Sequence, residues 1–282
     1  IDAIARFRAA HDVAFTLVGF HGQTVLHRPE AGLTVQIGDP QVLARATNCA
    51  VIGQFRLADI ANGGQGAPLA PLFHAARAKS QSGSLGVLNI GGVANITLLD
   101  EGEQICSFDT GPGNALLDDW VSAKTGRPYD ADGALARKGR VDEMALQRLL
   151  SHVFFDRAPP KSLDRQAFDP SPVAALSPED GAATLTAFTA VAVARGLEIA
   201  GYEPARLIVC GGGRHNLALM EALQKHTGVA VQNCDALGWA GDALEAEAFA
   251  WLAVRHCLGL PTSVPQTTGV AGPIVGGRKY NP

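Results

Sequence analysis

Four times in this chain an apolar run ends in a glycine-rich turn: Gly19-Phe20-His21-Gly22-Gln23-Thr24, Asn89-Ile90-Gly91-Gly92, Asp109-Thr110-Gly111-Pro112-Gly113-Asn114 and Cys210-Gly211-Gly212-Gly213. Glycine permits positive φ and lets backbone come close to a ligand. A strand, a glycine turn and a helix N-terminus together make an anion site, because unpaired N–H groups and the helix dipole point at the ligand. One such turn is as well explained by a tight bend, but a set of four, two of them opening directly into helical stretches, favours phosphate binding. None has the P-loop spacing G-x-x-x-x-G-K-[ST], and none has the G-x-G-x-x-G spacing of a dinucleotide site. The surplus shows in the composition, where 32 of 282 residues are Gly, about 11% against a usual 7% or so.

Between these turns, apolar runs alternate with helical periods, the signature of an α/β protein. Residues 16–20, 33–37, 50–52, 85–90, 93–99 and 206–210 read as strands, and Gly91-Gly92 joins two of them as a hairpin. Residues 41–47 and 114–124 read as helices. Ser177 followed by Pro178 reads as an N-cap with proline in the first turn of a long helix that stops near Gly201. A helix starts near Asn216, and another runs from Asp242 to Cys257, with Asp242 and Glu245 spaced as a capping box. Residues 126–176 read as surface loops and short helices, and the tail beyond Leu260 shows little periodicity. Ile4, Phe7, Ala10 and Val13 already mark an amphipathic helix at the start, so the chain is expected to be a fragment of a longer protein.

A net charge of -4 and a pI near 6.1 argue against a nucleic-acid partner, since phosphate contacts need a Lys/Arg surplus. No apolar run reaches the ~18 residues of a membrane span and the start has no signal-peptide pattern, so no membrane partner and a cytoplasmic location are expected. Five scattered cysteines, Cys49, Cys106, Cys210, Cys234 and Cys257, fit neither a disulfide framework nor a zinc site and read as buried apolar thiols. The histidines form no ligand set. His21, in a glycine loop, is placed to touch a substrate, whereas His27, His152, His226 and His256 read as ordinary packed or surface residues.

Residues 55–71 carry Arg56 and Asp59 ahead of a loop of small residues with little bulk to exclude a substrate. A carboxylate there is suited to take a proton from a hydroxyl or a water. Asp59 as a helix cap or as the ion-pair partner of Arg56 is an equal alternative on spacing alone.

The runs GFHGQTVLHRP, TVQIGDP, FRLADIANGGQGAPLAPLFH, LNIGGVANIT, FDTGPGNALLDDW, PPKSLDRQAF, VCGGGRHNLALM and GDALEAEAFAWLA resemble, in order, those of the anhydro-N-acetylmuramic acid kinases. The resemblance reaches from about Val18 to Pro282. It implies an α/β, two-domain actin/Hsp70/sugar-kinase-like fold with a nucleotide cleft. The implied domains are 1–83 (sugar side), 84–253 (nucleotide side) and a segment 254–282 returning to the first. The implied reaction is hydrolysis of the 1,6-anhydro ring and phosphorylation of O6 from ATP, which serves peptidoglycan recycling. Asp59 matches the catalytic base and Arg56 the arginine beside it. His21, Gln23, Thr24, Gln65 and Glu245 match the sugar side. Gly91, Gly92 and Asn95 match the second phosphate loop, with Gly111, Gly113 and Asn114 nearby. Gly211, Gly212, Gly213 and Asn216 match the adenosine side, and Asp109 would hold Mg2+ through water. The resemblance also leaves room for a homodimer. Leu163-Asp164 stands where the family has a small residue and Gly, which puts that loop's contact in question. The family's opening G-T-S-x-D-G phosphate loop has no match, so the alternative reading is a truncated or non-catalytic chain that binds nucleotide or sugar.

Overall fold

The computed structural model describes residues 1–100 and 103–282. The chain runs through α1 (Asp2–His11), β1 (Leu17–Gly19), β2 (Gln23–Arg28), β3 (Leu33–Ile37), α2 (Pro40–Thr47), β4 (Ala50–Gly53), α3 (Leu57–Ala61) and α4 (Pro71–Ala78). It continues with β5 (Leu85–Ile90), β6 (Val93–Asp100), β7 (Glu103–Pro112), α5 (Ala115–Thr125), α6 (Glu143–Leu150), α7 (Pro178–Ala200), β8 (Arg206–Cys210), α8 (Leu217–Thr227) and β9 (Ala230–Asn233). It ends with α9 (Leu244–Cys257), α10 (Pro265–Thr268) and β10 (Arg278–Tyr280). Contacts divide it into two units, Ile1–His74 with Glu245–Pro282, and Ala75–Leu244. The divisions implied by the resemblance fall at 83/84, near a compositional break, and at 253/254, whereas contacts divide the chain within α4 and α9.

In the first unit, β4 lies between β1, which is parallel to it, and β10, which is antiparallel. Ile52 and Phe55 pack with Phe249, Leu252 and Ala253 of α9 in one apolar cluster, and Leu43, Ala44 and Val51 form another. Strands β2 and β3 make a separate antiparallel hairpin. The second unit holds a five-stranded sheet in the order β7-β6-β5-β8-β9. Strands β5, β8 and β9 run parallel, while β6 is antiparallel to both β5 and β7. The near-continuous apolar text of β5 and β8 follows from their central position, covered on both faces. Helix α7 packs Ala190, Val193 and Leu197 into the core cluster that holds Leu88, Ile96, Phe108 and Val209 of the sheet.

The long helix is built as its sequence directs. The Ser177 side chain accepts from the Asp180 N–H, Pro178 fills the first turn, and Gly201 closes the helix in the left-handed conformation. The 91–92 hairpin is also present, with Ile90 opposite Ala94.

Four expectations need correction. Residues 126–176 are no surface tract: Leu135, Leu146, Leu149, Phe154, Phe155 and Phe168 are buried with α7 in a core cluster of the second unit. Turns of 3-10 helix space their apolar residues irregularly, and that hid the cluster. The tail contributes β10, whose three residues are too few to show a period. Helix α7 is, by length and composition, apolar enough to cross a membrane, although most of its residues are buried in the core. Of the cysteines, Cys49, Cys210 and Cys234 are buried, but Cys106 is only half-buried and Cys257 is exposed.

Candidate active site

Asp59 sits in the short helix α3 and is wholly buried. Its Oδ1 accepts from the Gly66 N–H at 2.6 Å and its Oδ2 from the Thr268 hydroxyl at 2.6 Å. The loop after α3 folds back over the carboxylate. Gly64 N–H bonds the Asp59 carbonyl at 3.0 Å, and Gln65 N–H bonds the Thr268 carbonyl at 2.7 Å. A Cβ on Gly64 would collide with the Asp59 carboxylate, so glycine there is a requirement of close packing. The helix-cap alternative for Asp59 is not present, since α3 has no side-chain cap, and the carboxylate accepts from Gly66 and Thr268.

Arg56 turns to His21, its Nε and Nη2 lying 3.1 and 2.9 Å from His21 Nε2. The histidine ring stacks at a tilt on Phe249, 4.4 Å between centroids. Burial, and then the Arg56 charge, push the His21 pKa down to about 4 against a backbone bond to Gly22 that raises it. The ring is therefore neutral near pH 7 and Nε2 is its acceptor. Gln23 and Thr24 lie on strand β2 and not in the glycine loop expected for them. Gln23 is exposed, and Thr24 accepts from the Gln36 side chain at 3.4 Å. A cavity of about 160 Å³ opens beside His21, lined by Phe20, Thr34, Gln36 and Gln54 among others.

Acid should therefore weaken this unit. His21, and the fully buried His74 whose pKa burial also lowers to about 4, stay neutral in the fold down to a pH where the unfolded chain has taken up the proton. Because the unfolded state binds more protons between pH 6.5 and 4, stability is complete above that window. It falls as pH drops through it, by up to about 3 kcal/mol per histidine. Urea unfolding at pH 7 and pH 4.5 measures the loss, and His21→Gln should flatten part of the slope; a pH-independent midpoint would contradict it.

Glu245 and Asp242 do not form a capping box. Helix α9 begins at Leu244, and the Asp242 carboxylate instead takes Arg214 Nη1 at 2.7 Å, an ion pair that lowers its pKa to about 2. Glu245 lies exposed in the first turn of α9. The spacing of Asp242 and Glu245 was a real signal, but a buried arginine competed for the aspartate.

In the second unit three glycine segments meet at one end of the sheet. Strands β5, β7 and β8 all run toward that end, so Gly91-Gly92, Gly113-Asn114 and Gly211-Gly212-Gly213 stand at their carboxyl termini. Asn114 and Ala115 N–H groups bond the Gly91 and Gly92 carbonyls at 2.7 and 3.3 Å, and Asn114 Nδ2 reaches the Ile90 carbonyl at 3.3 Å. The segment 109–114 is strand as far as Pro112 and not a turn throughout, so Gly111 lies in β7 and only Gly113-Asn114 joins it to α5. A register shift between β6 and β7 leaves Asn95 opposite Asp109. Asp109 is nearly buried, and its Oδ2 accepts from the Leu163 N–H at 2.7 Å. The Leu163-Asp164 departure therefore leaves that loop joined to Asp109 through backbone. Asn216 uses its side-chain oxygen to cap α8 at 3.0 Å.

Several residues of this end were missed from sequence. Arg214, only 3% exposed, binds the Gly211 carbonyl at 2.9 Å and pairs with Asp235 and Asp242, which raises its pKa. Arg165 lies beside Gly92 and 3.6 Å from Asp119. Half-buried Asp118, in the first turn of α5, has its pKa raised to about 6 by burial and then by Asp119, with Arg165 opposing. In the first unit Thr268, the partner of Asp59, was also missed, since it falls in the tail without periodicity. Only the arginine beside a glycine triplet carried any sequence signal.

Glycine turns at the carboxyl ends of parallel strands are where open α/β sheets take their ligands, and a mixed sheet packed by helices with three such turns at one end defines an α/β protein with a candidate ligand site there. The family described as "Anhydro-N-acetylmuramic acid kinase" matches residues 2–282. The anhydro-N-acetylmuramic acid kinase of Rhodospirillum rubrum is 55% identical over 280 residues, 99% of this chain and 75% of the relative. That of Methylorubrum extorquens is 52% identical over 286 residues, 100% of this chain and 76% of the relative. The chain belongs to the anhydro-N-acetylmuramic acid kinase family. Among solved structures, the activator of the 2-hydroxyisocaproyl-CoA dehydratase from Clostridium difficile with bound ADPNP is similar at a TM-score of 0.44 and 15% identity, over 66% of each chain. A likeness this loose adds no weight.

Proposed function

We propose that this chain is an ATP-dependent kinase that opens the 1,6-anhydro ring of anhydro-N-acetylmuramic acid with water and phosphorylates O6, giving N-acetylmuramic acid 6-phosphate and ADP in the cytoplasm. The observation that carries the reading is a family match along residues 2–282 together with a buried carboxylate, Asp59, held by a glycine loop in the unit assigned to the sugar. In this reading Asp59 takes a proton from water as the water oxygen bonds C1. The C1–O6 bond breaks, and O6 takes the γ-phosphoryl group as the bond to ADP breaks. The departing oxygen is captured by phosphorus, so no separate acid is required, and one carboxylate serves both halves. Neutral His21 orients Arg56, and His21, Gln23, Thr24, Gln65 and Glu245 are assigned to the sugar.

Gly91, Gly92, Asn95, Gly111, Gly113 and Asn114 are assigned to the phosphates of ATP, and Gly211, Gly212, Gly213 and Asn216 to its adenosine. Among the described residues no three His, Cys, Asp or Glu side chains form a metal cluster. A lone carboxylate such as Asp109 fits Mg2+ carried mainly by nucleotide phosphates and waters. That ion, when bound, neutralises charge on the transferring phosphoryl group.

Because Asp59 is fully buried beneath the Gly64–Gly66 loop, the proton transfer requires the loop to lift, since a base must come within hydrogen-bond reach of its proton. Incubation with ATP and 1,6-anhydro-N-acetylmuramic acid should release ADP only when both are present. The assay is made on this chain and on one extended at its amino end. Absence of substrate-dependent ADP from the extended form overturns the proposal.

A further inference from the structure

We infer that Thr268 is a positioning residue for the hydrolytic half of the reaction, fixing the Asp59 carboxylate and latching the loop that covers it. The inference rests on the assignment of Asp59 as the base. Thr268 lies 209 positions from Asp59, in a part of the chain that no sequence motif marked, yet its side chain is wholly buried and its hydroxyl donates to Asp59 Oδ2 at 2.6 Å. Its backbone carbonyl accepts from the Gln65 N–H at 2.7 Å. One residue thus holds both the carboxylate and the loop closed over it.

The geometry shows why a hydroxyl at this place matters. Gly66 N–H binds Oδ1 and Thr268 binds Oδ2, so the carboxylate is fixed from both sides and cannot rotate about its Cβ–Cγ bond without losing one of them. An ionised carboxylate accepts at about four lone-pair sites; when the loop lifts and Gly66 leaves Oδ1, Thr268, which lies outside the loop, is the donor that still sets the direction of the carboxylate. Thr268 is itself rigidly placed, at the end of α10, where its own N–H bonds the Val264 carbonyl at 3.3 Å and Gly269 closes the turn at φ 72°. The carbonyl bond to Gln65 belongs to the backbone and survives substitution. Changing the side chain therefore tests the hydroxyl alone.

Thr268→Val keeps the shape and removes the donor. It should lower kcat by about tenfold, as loss of one hydrogen bond to a charged group implies, while KM for ATP stays within about twofold, since ATP is assigned to the other unit. Thr268→Ser restores the hydroxyl and should recover most of kcat, a rescue that a packing role for the methyl group does not give. Thermal unfolding of each variant separates loss of turnover from loss of fold. If Thr268→Val turns over like wild type while Asp59→Asn is inactive, the positioning role falls and the base assignment stands. If Asp59→Asn stays active, the base assignment itself is wrong. A serine variant as poor as the valine variant also overturns the inference.

Discussion

Asp59→Asn should abolish turnover and leave both the fold and ATP binding in place. The substitution keeps the size of the side chain and one contact to each partner. Asparagine has one acceptor oxygen and one NH2 group, and the pocket offers one fixed donor, the Gly66 N–H, and one hydroxyl, that of Thr268, each 2.6 Å from a carboxylate oxygen. The amide oxygen can face Gly66 and the NH2 group can face Thr268, whose hydroxyl then rotates to accept. Both contacts are kept, but the Thr268 hydroxyl hydrogen gives up its acceptor and the amide brings a second N–H, so the variant should stay folded and lose on the order of 1–3 kcal/mol of stability. What it loses is the ability to take a proton. General-base catalysis contributes about 10²–10⁴-fold, and substrate-dependent ADP release measured against enzyme concentration should fall by that factor. Activity within roughly tenfold of wild type, or about 1.4 kcal/mol of barrier, removes Asp59 from the role.

Much of the second unit was legible in the sequence because its signals are local. Strand, Gly-Gly hairpin, N-cap, Pro in the first turn and closing glycine are set by neighbours within a few residues, and the structure has each of them at Leu85–Ile90, Gly91-Gly92 and Ser177–Gly201. What was not legible depends on partners far along the chain. Asp242 carries a capping pattern, yet buried Arg214, already paired with Asp235, takes its carboxylate as a second partner, because a charge-assisted bond to a buried guanidinium outweighs a cap. The stretch from 126 to 176 lacks period, yet it supplies Phe154, Phe155 and Phe168 to a core cluster. Asp59 could be singled out by its glycine-rich surroundings, but its burial and its bond to Thr268 follow only from tertiary structure. The resemblance located the carboxylate, and the fold supplied the groups that hold it.

The glycines of the second unit should separate into those the fold needs and those the ligand needs, and Gly113→Ala against Gly91→Ala is the sharpest contrast. A Cβ on Gly113 would collide with the Gly91 carbonyl oxygen and come within 2.9 Å of the Val93 carbonyl carbon, both backbone atoms. Neither can retreat, because Gly113, Asn114 and Ala115 N–H groups bond the Gly92 and Gly91 carbonyls at 3.0, 2.7 and 3.3 Å. Overpacking against fixed backbone should cost about 3 kcal/mol, a drop on the order of 10 °C in Tm for a domain of this size. Gly91 is the opposite case. Its Cβ would meet nothing nearer than the Val93 carbonyl oxygen at 3.8 Å, and its backbone is outside the left-handed region. Alanine there should change stability by less than about 0.5 kcal/mol. The added methyl would still stand at the turn where the phosphates are assigned. Close backbone approach is the reason for glycine at such a turn, so KM for ATP should rise about tenfold, a loss near 1.4 kcal/mol. Unfolding midpoints and ATP titrations on the two variants decide the matter. Wild-type ATP affinity in Gly91→Ala would take the phosphates away from this turn, and a wild-type melting point in Gly113→Ala would mean the junction can yield after all.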